Sequence, residues 1–439
     1  MPIAGLTEDK RREVEESTLR EMETLAVRIR QLVAAQPPHD LIGYIYGQRL
    51  LGAMHEQEQK TEGQEGNSAV FSEMINETQF VLEYVHAVFA STTERGDEIF
   101  DEAACAEIFH CATNLKNKAV IYAMMTSAGT NDGVFGPATA EVEFHAKSTW
   151  VLLRGNRYQV LEGEFYKFVL TPHDDALRRT YGIGASEIAT GFQDMANATR
   201  EGQANAIEEA DKQMKAAHSF AQAQVGSFDD SIKRWAKENP DAQKTAALAF
   251  DDMLRGGICN VSRHTKLPDI LFEDISYSRG DETDFFAEGA YCGTPFRTLP
   301  ARKKPLIKLG KNYYAVDPCF TRDSGYRALL FNLLQRMPDY KKEFEARQKA
   351  MSEAAFFQIL APQLKGAKVN NEIWYKDPNT GQWVENDTLI RIDDVLLLIE
   401  AKAGATATIA SPALDFARHV QAVKDLILKA YSQCKRFFE

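Results

Sequence analysis

Cysteine is scarce in this chain of 439 residues: Cys105, Cys111, Cys259, Cys292, Cys319 and Cys434 are scattered, with no C-x-x-C. That spacing supports neither a disulfide framework nor a zinc ribbon. Long apolar runs are missing as well. None approaches the ~20 residues that a membrane-spanning helix needs, and the opening Met-Pro-Ile-Ala-Gly-Leu-Thr-Glu-Asp-Lys has no apolar signal-peptide core. The expectation is a cytoplasmic protein with no membrane partner. Positive charge is short too, with 51 Lys+Arg against 63 Asp+Glu and a net charge of −12. This balance argues against indiscriminate nucleic-acid binding over the whole surface, but a local basic groove is compatible with it. Several motifs are incomplete. No G-x-x-x-x-G-K-[ST] occurs, so no ATPase motor is encoded; His55-Glu-Gln-Glu-Gln lacks the second His of a zincin helix; Gly182-Ile-Gly184 lacks the third glycine of a dinucleotide fingerprint. Cys105, His110 and Cys111 share an apolar helical pattern and read as packing.

What is present indicates a multidomain α+β protein. Length predicts two or three domains, and 44% hydrophobic with 26% charged residues is a globular composition. Residues 7–36 read as a helix, acidic in its first turn, apolar at Leu19, Met22, Leu25, Ile29 and Leu32, and stopped by Pro37-Pro38. Further helices are predicted from Asp40, over 68–91, and over 97–125. Residues 1–128 are thus a helical N-terminal domain. A mixed middle region, 129–338, is expected to open with a β-hairpin around Gly155-Asn156, extended by Phe165–Leu170. It continues with helices over 185–224 and 229–255 and a second hairpin over 304–317 turning at Gly310-Lys-Asn312. The C-terminal domain, 339–439, opens with a helix ending at Gly366. Strands follow at 369–375, 388–392 and 395–401, then an amphipathic helix with Phe416, Val420, Val423, Ile427, Ala430, Cys434 and Phe437 on one stripe.

The stretch Asp387-Thr-Leu-Ile-Arg-Ile-Asp393-Asp394-Val-Leu-Leu-Leu-Ile-Glu400-Ala401-Lys402 carries the chemistry. Asp393-Asp394 is a turn signal. Val395–Ile399 is wholly apolar and reads as a strand buried on both faces. Glu400 and Lys402, two apart, share one side of it. Unpaired charges on such a strand cost several kcal/mol, and a divalent metal is the natural compensation. This pattern resembles the PD-(D/E)XK, or restriction-endonuclease-like, nuclease superfamily over roughly residues 340–439. The resemblance implies that Asp387 and Glu400, with the carbonyl of Ala401, bind Mg²⁺, for which Mn²⁺ substitutes, and that Lys402 orients or polarises the attacking water. It also implies a fold of helix, three strands, helix and strand. The last strand is missing, because the sequence stops within the final helix, so the chain is either cut from a longer protein or its sheet is completed elsewhere.

Two helical residues are further candidates. Glu353 is either the additional acidic group that many relatives place on the helix before the core, or a solvated glutamate. Gln433, in Tyr431-Ser-Gln-Cys-Lys-Arg436, either resembles the glutamine of RecB-like members, whose amide touches substrate or orients the site, or is a helix residue without a role there. Glu385 is either a further ligand or an exposed edge carboxylate, the second being the plainer reading. Arg302, Lys303, Lys304, Lys308 and Lys311, with Arg297, form the richest basic run. It is either a path for a DNA backbone or a solvated linker, and at least one of Tyr313 and Tyr314 belongs to a core.

The resulting expectation is a Mg²⁺-dependent DNA endonuclease, regulated by its N-terminal region through an effector or protein partner, or through a homodimer or higher oligomer. Bacterial antiviral defence is consistent with it. The alternative is a catalytically silent nuclease-fold scaffold that binds nucleic acid or assembles a complex.

Overall fold

The computed structural model describes residues 7–48, 68–93, 96, 99–128, 137–152, 162–315, 318–360, 363–401 and 413–438. A mostly helical N-terminal region precedes a C-terminal region, and the molecule carries two small sheets in an α+β arrangement. Helix α1 (Glu8–Ala34) starts at Thr7, whose hydroxyl caps the N–H of Lys10, and it buries Met22, Ala26, Ile29 and Leu32. The apolar stripe expected of it is therefore used inside the molecule, against α4 (Glu102–Ala128). Between them lie α2 (38–48) and α3 (Ser68–Ser91). Cys105 and Cys111 pack within this first core, where burial pushes the Cys105 thiol up to about 12.

The hairpin expected around Gly155-Asn156 is not formed by its flanks. Residues 148–152 end helix α5 (Pro137–Leu152) and 165–170 belong to α6 (Glu162–Leu170); 153–161 lie outside the described residues. Packing overrides strand propensity here. Tyr166, Val169 and Leu170 are buried at helical spacing, and Tyr166 stacks on Phe192 of α8 (Ala185–Gln222), with ring centroids 5.4 Å apart. Between them, α7 (Asp174–Tyr181) leads into α8. The second core gathers Tyr166, Leu177, Ile188, Phe192, Leu271 and Leu329.

Helices α9 (Phe228–Glu238), α10 (Pro240–Leu254) and α11 (Asp269–Ile275) precede the first sheet. In it β1 (Ser276–Tyr277) runs parallel to β2 (Leu306–Leu309), which pairs antiparallel with β3 (Asn312–Ala315). The predicted hairpin turns at Gly310-Lys311, with Gly310 at φ 64° supplying the left-handed residue. Both Tyr313 and Tyr314 are core residues. Helix α12 (Pro318–Arg336) follows.

Helix α13 (Lys341–Leu360) bridges the two regions. Its first half docks on the second core: Phe344 stacks on buried His173 at 4.4 Å, and Gln348 hydrogen-bonds the same imidazole at 2.9 Å. Its second half faces an antiparallel sheet ordered β4 (Lys368–Lys376), β5 (Trp383–Ile392), β6 (Val395–Ile399). Ile392 pairs with Val395, so Asp393-Asp394 form the two-residue turn, with Asp393 at φ 48°. Two expectations change here. Asp387 lies in mid-strand rather than at a strand start, because the pairing with β4 extends β5 back to Trp383. Strand β6 is not buried on both faces: Val395, Leu396 and Leu397 are 55, 49 and 39% exposed, because among the described residues β6 pairs with β5 alone. Helix α14 (Phe416–Phe438) lies beside β5 and has no fully buried residue. Among the described residues, no helix is long and apolar enough to cross a membrane.

Candidate active site

The sheet, α13 and α14 enclose a cavity of ≈ 420 Å³ lined by Lys349, Ser352, Glu353, Val384, Glu385, Asp387, Glu400, Ala401, Gln433 and Arg436. Five of the candidates named from sequence, Glu353, Asp387, Glu400, Ala401 and Gln433, thus meet in one place. Each arrives by a different route. The register that pairs Thr388 with Ile399 carries Asp387 and Glu400 to adjacent positions where the β5–β6 hairpin opens. Period 2 adds Glu385 on the Asp387 side of β5. Helical spacing puts Lys349 and Glu353 on one face of α13, where they form an ion pair of 3.3 Å. Gln433 and Arg436 come from the last turns of α14.

The carboxylates are individually held. Asp387 Oδ2 accepts the Ala401 N–H at 2.5 Å, fixing the chain where it leaves β6. Glu400 Oε2 accepts from the amide of the fully buried Asn386 at 2.9 Å, while Asn386 Oδ1 has no hydrogen-bond partner among the described residues. Glu385 is raised above the ordinary carboxylate range, first by desolvation and then by the negative charge of Glu372 and Glu353, against the opposing Lys349. The Lys349 ammonium is raised in turn, chiefly by its hydrogen bond to Glu353. Excess negative charge therefore faces the cavity.

Oxygen-only donors suit a hard divalent cation, and the charge surplus fits one. Among the described residues, however, no three His, Cys, Asp or Glu groups stand ready-made around a metal position. The hydrogen bonds to Ala401 and Asn386 engage one oxygen of each of the two central carboxylates. Lys402 lies outside the described residues.

Arg436 ties the site to the β4–β5 turn. Its guanidinium stands 3.6 Å from buried Asp377, which accepts the N–H groups of Asn379 and Thr380 at 2.8 and 3.1 Å. Those backbone bonds hold Asp377 below the usual carboxylate range. Tyr375 adds a 3.4 Å hydrogen bond to the Gln433 carbonyl.

The basic run is elsewhere, and none of Arg302, Lys303, Lys304, Lys308 and Lys311 lines the cavity. Arg302 lies 4.3 Å over the Trp150 ring and donates to its carbonyl. Lys303 pairs with Asp284 at 2.8 Å, and Lys304 donates to the Ser276 carbonyl at 3.1 Å, its pKa lowered by burial. Lys308 stands 3.4 Å from Glu273, and Lys311 is exposed at the hairpin turn. Most of the run neutralises or caps its own surroundings.

Sequence reasoning missed Lys349, Asn386 and Arg436, and of its two readings of Glu385 the exposed-edge one does not hold. Glu385 is not an edge carboxylate, because β5 is the middle strand. Its two-residue offset from Asp387 was a usable signal, as was the four-residue offset of Lys349 from Glu353. No family model, curated protein or solved structure matches the chain.

Proposed function

We propose that this cavity is the active site of a Mg²⁺-dependent DNA nuclease of the restriction-endonuclease-like type, in a chain whose N-terminal region regulates it. The observation that supports this reading is the convergence of Glu353, Asp387, Glu400, Ala401 and Gln433, drawn from four separate elements or junctions, on one cavity. Asp387 and Glu400, with the Ala401 carbonyl, would hold Mg²⁺ or Mn²⁺. A bound ion neutralises phosphate charge and acidifies water. Glu353 and Glu385 set the negative field that favours a cation, and Gln433 meets the substrate from α14. Lys402, next in the chain after Ala401, orients the attacking water and stabilises charge in the transition state. Regulation fits the α13 bridge, since the helix that bears Glu353 is docked on the second core. A homodimer would supply the two sites needed to cut both strands, and defence against foreign DNA is the biological setting this suggests.

The test is hydrolysis of plasmid, linear and single-stranded DNA with Mg²⁺ by wild type, Asp387→Ala and Lys402→Ala. Activity in the wild type alone supports the assignment, and equal activity in all three removes it.

A scaffold reading is favoured by one observation, the absence of a ready-made carboxylate cluster among the described residues. Under it the chain binds nucleic acid without cutting, and wild type is as inert as the variants.

A further inference from the structure

A second cavity of ≈ 330 Å³ opens along α14, lined by Asp425, Leu428, Lys429, Ser432, Gln433 and Arg436. Gln433 and Arg436 also line the first cavity, so the second cavity borders it at these two side chains. Helical geometry arranges its polar wall. Lys429, Ser432 and Arg436 recur at spacings of three and four, which places them in a row on one face about 10 Å long at 1.5 Å rise per residue. That length covers about three nucleotide steps of a strand, given roughly 3.4 Å per nucleotide along a duplex axis.

The chemistry of this row is that of an anion track. Lys429 is exposed. Ser432 is exposed beside it and offers a hydroxyl donor. Arg436 is pinned on one side by Asp377 at 3.6 Å, and its buried Nε–H has no acceptor among the described residues, so its terminal N–H groups are the ones left to meet a ligand. A planar guanidinium held in this way is pre-set to meet a phosphate, at lower entropic cost than a free side chain. The one acid in the second cavity, Asp425, stands at its far end and is engaged by the Gln421 amide at 2.9 Å. The first cavity, by contrast, carries the carboxylates. The lining charge therefore changes from net positive in the second cavity to net negative in the first, which is the order expected where a backbone is first gripped and then presented to a metal.

We infer that the α14 row Lys429–Ser432–Arg436 is a binding track for the phosphodiester backbone of a nucleic-acid strand, leading it past Gln433 into the carboxylate cavity. This deepens the nuclease reading and takes its direction from it, but the grip itself needs neither metal nor catalysis.

The experiment exploits that difference. Binding of a short labelled duplex, made as DNA and as RNA, is measured by fluorescence anisotropy in EDTA over a range of salt, using the full chain. Wild type is compared with Lys429→Glu, Arg436→Gln and the double variant. Lys429 is exposed, so Lys429→Glu is the variant that keeps the fold; circular dichroism checks Arg436→Gln, which loses the Asp377 pair. Lys429→Glu is expected to weaken binding roughly tenfold and to lower the salt slope by about one unit, the signature of a lost phosphate contact. The same loss with either duplex supports the track, and a loss with one duplex alone names its backbone. Unchanged affinity and slope in folded Lys429→Glu overturn it. Cleavage by wild type in Mg²⁺ is scored separately. Cutting with no effect of Lys429→Glu on affinity rejects the track and keeps the nuclease. Weakened binding in a protein that never cuts keeps the track and rejects the nuclease.

Discussion

Asn386 shows how a residue beside the chemistry is conscripted by it. It is fully buried, it donates to Glu400, and its own carbonyl has no partner among the described residues. A bond to a charged acceptor contributes about 1.5–3 kcal/mol. Asn386→Ala is therefore expected to lower unfolding free energy by about 2 kcal/mol, read from the urea midpoint. It also releases the Glu400 carboxylate, so divalent-ion affinity should change as well. A variant with unaltered midpoint would show that the bond does not hold Glu400. His173 is the counterpart at the other end of α13. Burial pushes its imidazole down to about 4, with the Arg347 charge adding to the effect and Glu343 opposing it. The unfolded chain binds the proton near pH 6.5 while the folded chain does not, so this contribution is intact above 6.5 and is lost as pH falls from 6.5 towards 4. The full loss is on the order of 3 kcal/mol. His173→Phe, which retains a ring against Phe344, is expected to flatten the fall in thermal midpoint across that window. An unchanged slope would reassign the acid sensitivity to other groups.

At the scale of elements, the β5–β6 hairpin delivers the site, and its turn is the exposed place to perturb it. Asp393 sits at φ 48°, a conformation that Asp tolerates and a β-branched residue resists. Asp393→Val is expected to cost about 1–2 kcal/mol by strain at that turn, measured by denaturant unfolding. Asp393→Gly is the control, expected to be close to neutral. The hairpin was legible because two-residue turns and apolar runs are local signals, and the same holds for the Gly310-Lys311 turn. Strand β5 was cut short because Trp383–Asn386 gain strand character only by pairing with β4. The 148–152 and 165–170 segments failed for the opposite reason. Their β-branched and aromatic residues look like strand until Tyr166 finds Phe192, a partner that local composition cannot name. At the site, Asp387, Glu400 and Gln433 were legible through the resemblance. Lys349 and Arg436 were not, since a charged residue on a helix reads as solvent-facing until a sheet is laid against it.

For the molecule as a whole, the border expected at 338/339 does not fall in open chain. Tyr340, Phe344 and Met351 of the C-terminal segment pack on the second core. The α13 helix therefore shares its length between the N-terminal body and the cavity, and Phe344 and Lys349 are about 7.5 Å apart along its axis. On the proposed regulation, a change of packing in the body would be passed along α13 to Lys349 and Glu353. Phe344→Ala is expected to destabilise the chain by about 1–3 kcal/mol, as a half-buried ring is removed. On the proposed coupling it also alters nuclease turnover, in a protein that remains folded at the assay temperature. Loss of stability with turnover unchanged would uncouple the two regions.

The central claim is that the cavity between Asp387, Glu400 and Ala401 holds a catalytic divalent ion. Calorimetric titration of the full chain with Mn²⁺, in wild type and in Asp387→Ala, addresses it most directly. The account predicts saturable binding in the wild type, with affinity at least about tenfold weaker in the variant, a difference of about 1.4 kcal/mol. A folded wild-type chain that takes up no Mn²⁺ at millimolar concentration, or one whose binding is indifferent to Asp387, would contradict it.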